Sequence, residues 1–281
     1  MAEETTTKKK DKPEEEKEMS FWEHLEELRW HLVRSIIAIV ILAVVAFLNR
    51  NIIFDQIILA PKDSTFVTNR ILCYISEYLN LPGLCIDDLK LNIINIKMSG
   101  QFMTHMMVSI VAGIIVAFPY IIWEVWSFIR PALYPTERKY SAGAVIVSSA
   151  LFILGVLFAY FLIVPLTVNF LGTYQVSADV PNQVSLTSYI STVVSVTLGV
   201  GVVFELPIFV YFFTKVGLLT PDFMKRNRKY MIVILLIISA IITPPDVFSQ
   251  ILVVIPLWGL YELSISISKR VYKKRRIEMA G

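Results

Sequence analysis

Residues 141–164 read SAGAVIVSSALFILGVLFAYFLIV and contain no charged side chain. At about 1.5 Å per residue, a helix of this length exceeds the roughly 30 Å hydrocarbon core of a bilayer. The segment is also too long and too continuously apolar for a strand of a membrane barrel, in which apolar and polar residues alternate. The sequence therefore predicts a membrane-spanning helix over these residues.

Five further apolar segments surround this one, and hydrophobic residues make up 56% of the 281-residue chain while charged residues make up 17%. A soluble domain averages about 45–50% apolar and about 25% charged residues. The fold class predicted is all-α, a polytopic membrane protein with six transmembrane helices. Prolines inside three of them are expected to bend the helices and to leave a concave groove between them. The predicted spans are residues 32–48, about 102–123, 141–164, about 189–213, 231–243 and 247 to about 267.

The distribution of Lys and Arg predicts the orientation of these spans. Of the 26 basic residues, 21 lie in the N-terminal segment up to Arg34, after the last span, or in the loops after the second and fourth spans. The remaining five all lie in the loop after the first span. Because basic residues concentrate in cytoplasmic loops, we expect both termini to be cytoplasmic. The fifth span is short and is followed at once by Pro244 and Pro245, so this hairpin is expected to return to the cytoplasm whether or not it crosses fully.

The polar stretches divide the chain further. Residues 1–19 are rich in Lys and Glu and are expected to be a disordered cytoplasmic tail without a signal peptide. Residues 20–268 form the predicted membrane domain, with a long extracytoplasmic loop at about 49–101, and residues 269–281 form a basic cytoplasmic tail. The long loop carries Cys73 and Cys85, which could close it as a disulfide in an oxidising compartment. Two unpaired thiols are the alternative.

Motifs of catalysis and of cofactor binding are missing from the sequence. It has no HExxH metal motif, no GxxxxGK[ST] phosphate loop and no GxSxG nucleophile turn. We therefore predict no enzyme activity, no metal and no cofactor. The net charge of +3 is too small to indicate nucleic-acid binding.

Two acids are predicted to lie at the cytoplasmic membrane surface. Glu27 belongs to an amphipathic helix that begins after Ser20 and precedes the first span, and Glu137 follows two prolines that stiffen the loop after the second span. Each has a plain alternative. The helix can be a simple interfacial anchor, and Glu137 can pair with Arg138 or Lys139 beside it.

Glu205 is expected to be the only acid well inside a span, and a charge at that depth is costly. We therefore expect a neutral carboxyl group that avoids lipid. It either offers a polar contact to a substrate or partner helix in the groove, or bonds to the backbone freed by Pro207 or to a neighbouring helix. Asp246, after the two prolines of the hairpin, is a predicted cap for the sixth span.

Several motifs occur together in one order over about residues 20–265, and together they resemble the TatC family, the integral receptor subunit of the twin-arginine protein translocase. The motifs are HLEELR at 24–29, FPY at 118–120, WSF at 126–128, PALY at 131–134 with ER at 137–138, FELP at 204–207, and TPPD at 243–246 with Gln250.

This resemblance implies that the chain binds the twin-arginine signal peptides of folded cargo proteins at its cytoplasmic face. It also implies that the chain nucleates a translocation complex driven by the proton-motive force. The family's signal-binding acids correspond to Glu27 and Glu137, with Arg29 and Phe128 lining the same patch. A planar guanidinium bonds a carboxylate at two points, which a lysine ammonium cannot do.

The resemblance also implies partners and a location. Single-span TatA-type and TatB-type proteins are expected to dock against the fifth–sixth hairpin near Thr243 and Gln250. A homo-oligomer within the complex and a bacterial inner membrane are expected as well. A solute or proton permease that uses Glu205 is the alternative from another class. It requires a polar path through several spans, which the sequence does not supply. An intramembrane enzyme is a further rival, but the sequence offers no nucleophile and base to support it.

Overall fold

The computed structural model describes residues 21–63, 65–79, 92–129, 141–177, 179, 182–244 and 247–278. Three predicted site residues, Cys85, Glu137 and Asp246, lie outside this set, as does the N-terminal tail. Most of the described chain is helical. The α-helices are α1 (Phe21–Leu48), α2 (Val67–Leu79), α3 (Gly100–Ile129), α4 (Ser141–Phe158), α5 (Val164–Thr173), α6 (Leu186–Val203), α7 (Leu206–Val216), α8 (Pro221–Arg226), α9 (Arg228–Ile242) and α10 (Val247–Glu278).

Five helical stretches among the described residues are long and apolar enough to cross a membrane. A π-helical segment, Ala159–Ile163, joins α4 to α5 within one of these stretches. The five stretches are His24–Leu48, Gly100–Ile129, Gly143–Thr173, Leu186–Val216 and Val247–Ile277. They correspond to five of the six predicted spans.

The predicted fifth span is a shorter helix, α9, of 15 residues. At about 1.5 Å per residue it extends over roughly 22 Å, less than a bilayer core. It ends at Thr243, which has an extended backbone before the two prolines. The last helix, α10, continues without a break to Glu278, so the boundary predicted at residue 269 does not coincide with the end of a helix.

The stretch Leu186–Val216, which contains α6 and α7, is the most buried of the five, whereas His24–Leu48 in α1 is the least buried. Helices α3 and α4 contact one side of this core, and α10 packs on α7, α8 and α9. The α1–α3 pair is held by a close backbone approach at Gly113. A Cβ atom there would lie 2.8 Å from the Ile39 carbonyl oxygen and from the Ala43 amide nitrogen of α1. Any larger residue would separate the two helices.

Pro207 interrupts the predicted fourth span as expected. Helix α6 ends at Val203, Phe204 and Glu205 form a turn, and α7 begins at Leu206. Proline cannot donate the backbone hydrogen bond to the residue four positions earlier and clashes with its carbonyl group. Pro119 and Pro256, by contrast, lie inside the continuous helices α3 and α10.

The loop after α1 folds back against the neighbouring helices. Its π-helical segment Ile52–Ile58 is held by two tyrosine hydroxyl groups, Tyr160 to the Ile57 carbonyl at 2.7 Å and Tyr189 to the Ile58 carbonyl at 2.8 Å. A short parallel pairing of Ile93–Ile94 with Val184–Ser185 joins this loop to the segment before α6. Cys73, in α2, is disulfide-bonded. Because Cys85 lies outside the described residues, its pairing with Cys73 stays a prediction.

Candidate functional site

Helix α1 presents Glu27 on the face that packs on the end of α3. His24, Glu27 and His31 are three and four residues apart, so they share one side of the helix. The His24 ring stacks on Phe128 of α3 with 4.4 Å between centroids, and the His31 ring meets the same phenylalanine edge-on at 6.0 Å. Two of the predicted signal-binding residues, Glu27 and Phe128, therefore belong to one surface.

The Glu27 carboxyl group has an unused acceptor on this surface. The residue is half-buried, and its Oε2 atom is buried without a hydrogen-bond partner in the part of the chain that the structure describes. A carboxylate oxygen in this situation lacks compensation for the water that it has lost. It is therefore ready to accept a donor from a ligand.

Arg29 lies elsewhere. It is two residues from Glu27, so it projects from a different side of α1, and its guanidinium lies over the Trp30 ring at 5.8 Å. Its side chain is exposed. The structure does not bring it to the face shared by Glu27 and Phe128.

A buried acid that sequence analysis missed lies one helical turn from Phe128. Glu124 is 2% exposed and has partners on both carboxyl oxygens. The Tyr120 hydroxyl donates to its Oε1 at 2.6 Å, and its Oε2 is hydrogen-bonded to Nδ1 of His31.

The expectation that Glu205 is the only acid well inside a span is thus wrong. The span predicted from hydropathy stopped at residue 123, before Glu124, whereas α3 continues to Ile129.

Glu205 lies in the turn between α6 and α7 and is 5% exposed. Its Oε2 accepts a hydrogen bond from Oγ of Ser148 in α4 at 2.5 Å, while its Oε1 is buried without a partner among the described residues. This contact matches the predicted alternative in which the acid bonds to a neighbouring helix. The other oxygen still offers an acceptor to a further donor.

Gln250 and Ser239 link the two helices of the α9–α10 hairpin, whereas the Thr243 side chain bonds to the last turn of its own helix, α9. The Thr243 hydroxyl donates to the Ser239 carbonyl at 2.9 Å, and Gln250 Nε2 donates to the Leu236 carbonyl at 3.0 Å. The Ser239 hydroxyl in turn donates to the Gln250 carbonyl at 2.9 Å. Gln250 thus stabilises the hairpin and Thr243 stabilises the end of α9, and the predicted contact of both residues with a partner helix stays a prediction.

An apolar cavity of about 710 Å³ lies between the loop after α1 and helices α3, α4 and α6. Glu205 does not line it. Across the described residues, no cluster of three or more His, Cys, Asp or Glu side chains is arranged to hold a metal ion.

Comparison with known proteins gives one consistent result. The sequence model of the family described as Sec-independent protein translocase protein (TatC) matches residues 23–256. The chain belongs to the TatC family. A TatC of Blattabacterium sp. subsp. Periplaneta americana is 41% identical over 93% of this chain and 99% of its own length. A TatC of Carboxydothermus hydrogenoformans is 34% identical over 92% and 97% of the two chains.

The fold agrees with this assignment. A crystal structure described as the twin arginine translocase receptor TatC superimposes with a TM-score of 0.70 at 35% identity, covering 88% of this chain and 99% of that one. A second crystal structure, of the same receptor in the detergent DDM, gives a TM-score of 0.67. The TatC chain described here is thus a multi-pass membrane protein and a subunit of the Sec-independent twin-arginine translocase. It is a transport component rather than an enzyme, and the permease alternative is not favoured.

Proposed function

We propose that this TatC chain binds the twin-arginine signal peptide of folded cargo on the α1–α3 surface that carries Glu27 and Phe128. The observation that carries the proposal is the buried Oε2 of Glu27, which has no partner among the described residues. An arginine of the signal satisfies this acceptor with a charge-assisted hydrogen bond, and the planar guanidinium can engage both carboxylate oxygens at once. Phe128, held between two histidine rings, offers an apolar contact beside that arginine.

The second arginine of the signal is assigned to Glu137, in the loop that follows α3. Arg29, on another side of α1, is assigned to the rim of the patch, where it contacts the rest of the signal. Exposed ion pairs contribute only about 0–1 kcal/mol. Partial burial of the Glu27 carboxylate therefore matters, because a hydrogen bond to a charged group contributes roughly 1.5–3 kcal/mol.

The orientation that this function requires places both termini in the cytoplasm of a bacterium, with the chain in the inner membrane. The five long helical stretches and the shorter α9 together make six membrane segments. The predominance of Lys and Arg in the termini and in the loops after the second and fourth spans supports this orientation. Both ends of the α9–α10 hairpin are then on the cytoplasmic side. Because α9 is short, the turn of the hairpin either does not reach the opposite headgroups or thins the bilayer beside it.

Single-span TatA-type and TatB-type proteins are proposed to dock on the α9–α10 hairpin near Thr243 and Gln250. Large apolar side chains of this hairpin are exposed, as a lipid-facing or helix-facing surface requires: Ile241 at 78%, Val247 at 71% and Ile255 at 67%. Further copies of the chain complete the translocation complex, and the proton-motive force drives transport.

The test of signal binding compares two neighbouring acids. Glu27→Ala should lower the affinity for a twin-arginine signal peptide by about 10–100-fold, which corresponds to the loss of roughly 1.5–3 kcal/mol. Glu26→Ala is the matched control, since it removes the same charge from an exposed position one residue away. Peptide titration of the full chain in nanodiscs measures both. If the two variants bind the peptide equally well, the assignment of Glu27 is wrong.

A peptide with two lysines in place of the arginines separates recognition of the guanidinium group from attraction by charge. It should bind the unmodified chain weakly and should be insensitive to Glu27→Ala. The thermal midpoint of Glu27→Ala should stay close to that of the unmodified chain, because no described residue donates a hydrogen bond to the Oε2 atom of Glu27.

A further inference from the structure

Helix α2, in the outer loop after α1, has an apolar and aromatic face that no other described element covers. Five residues of this face are exposed to between 38% and 79%. At about 100° per residue they share an arc of about 100° on the helix surface. They are Val67, Ile71, Tyr74, Ile75 and Tyr78.

The other sides of α2 have different surroundings. Thr68, Asn69 and Ser76 are buried against the rest of the chain, each at most 8% exposed. The charged side chains of Arg70 and Glu77 lie on a third side and are exposed. The side of α2 toward the protein thus carries these three polar residues beside the partly buried Leu72, while a charged side and an apolar side are exposed.

The start of α2 is attached to a membrane-spanning stretch. Phe66, just before the helix, stacks on Phe161 with 5.6 Å between centroids, and the Thr68 hydroxyl donates to the Phe161 carbonyl. Phe161 belongs to the stretch Gly143–Thr173 and is itself 39% exposed. Val67 of the apolar side and Phe161 border the same apolar cavity and are both partly exposed, so the apolar side of α2 adjoins the exposed apolar surface of that stretch.

We propose that α2 lies flat in the outer headgroup region of the bilayer, with Tyr74 and Tyr78 in contact with phospholipid. Tyrosine is enriched at this depth, because its ring is apolar and its hydroxyl reaches water. An amphipathic helix with a charged side binds there by burying its apolar side among the acyl chains. Arg70 and Glu77 then face water. The docked helix anchors the outer loop over the ends of α3, α4 and α6.

The experiment places the photoreactive residue 4-benzoylphenylalanine at three positions, one at a time, in the full chain. Tyr74 and Tyr78 test the apolar side, and Glu77 is the control on the charged side of the same helix. All three side chains are exposed, so the substitutions leave the packing intact. The protein is reconstituted in vesicles of phosphatidylethanolamine and phosphatidylglycerol, irradiated, and analysed by intact mass spectrometry.

The expected result is an adduct of one phospholipid mass at residues 74 and 78, in several-fold higher yield than at residue 77. Two results overturn the proposal. Crosslinked dimers as the main product at residues 74 and 78 assign the surface to a second copy of the chain. Lipid adducts that are absent from both positions, or equal in yield at all three, show that the bilayer does not cover this side of α2.

Discussion

Two buried glutamates in different regions of this TatC chain have contrasting surroundings. Glu124, between α1 and the end of α3, is 2% exposed and has a hydrogen-bond partner on each oxygen, Tyr120 on one and His31 on the other. Glu205, at the break between α6 and α7, is 5% exposed and has one partner among the described residues, Ser148, on one oxygen. The two glutamates are thus almost equally buried, but among the described residues both carboxyl oxygens of Glu124 are hydrogen-bonded and only one of Glu205 is.

The difference indicates two kinds of role. A buried polar group with all its partners stabilises one arrangement of its helices, whereas one with a missing partner lowers stability and stays ready for another donor. We therefore expect Glu124 to fix α1 on α3, and with it the surface that carries Glu27. Glu205 is expected to contribute less to stability and more to a contact made during transport.

The largest expected effect is that of Glu124→Ala on stability. It leaves the His31 ring, whose side chain is 12% exposed, without its carboxylate partner. Breaking a buried pair of this kind typically costs about 3–5 kcal/mol. The thermal midpoint of the purified Glu124→Ala protein should fall markedly. The midpoint of Glu124→Gln, which keeps the shape and one acceptor oxygen, should fall less. Glu26→Ala, at an exposed acid, should change stability by no more than about 0.5 kcal/mol. If the thermal midpoints of Glu124→Ala and Glu26→Ala are equal, Glu124 does not stabilise the packing of α1 on α3, and the contrast with Glu205 is wrong.

Substitution of Glu205 is expected to affect stability less, and export more, than substitution of Glu124. Glu205→Ala should destabilise the fold by about 0.5–3 kcal/mol, since only one hydrogen bond is lost and an unsatisfied oxygen is removed with it. Export of a twin-arginine cargo should survive Glu205→Gln better than Glu205→Ala, because glutamine retains hydrogen-bonding capacity. Export as defective with glutamine as with alanine would point to a titrating carboxyl group, and would bring proton coupling back into consideration.

The smallest effects come from the two hydroxyl donors. Tyr120→Phe removes one donor from Glu124, which still has His31, whereas Ser148→Ala removes the only donor to Glu205 found in the described chain. A single intramolecular hydrogen bond contributes about 0.5–1.5 kcal/mol to stability. The loss in free energy of unfolding, measured by steric trapping in bicelles, should lie nearer the upper value for Ser148→Ala and nearer the lower value for Tyr120→Phe. The opposite order would show that the missing partner of Glu205 has no energetic consequence.

Sequence reasoning succeeded where a property belongs to one segment. The long helices follow from local hydropathy, and the break before Pro207 follows from the chemistry of one residue. The apolar side of α2 also had a local signal, since Val67, Ile71, Tyr74 and Tyr78 recur at helical spacing. That signal escaped notice because it lies within a stretch treated as a loop.

The sequence alone determined that this chain is a helical membrane protein of the TatC type, because apolar length, charge distribution and short motifs are properties of neighbouring residues. Only the tertiary structure decided which acids have partners. His31 and Glu124 are 93 positions apart, and Ser148 and Glu205 are 57 positions apart. Such pairs form where helices cross, and the crossing is set by packing such as that at Gly113. The unpartnered oxygen of Glu27 likewise becomes visible only after α1 has packed on α3, because burial and hydrogen bonding depend on both helices together.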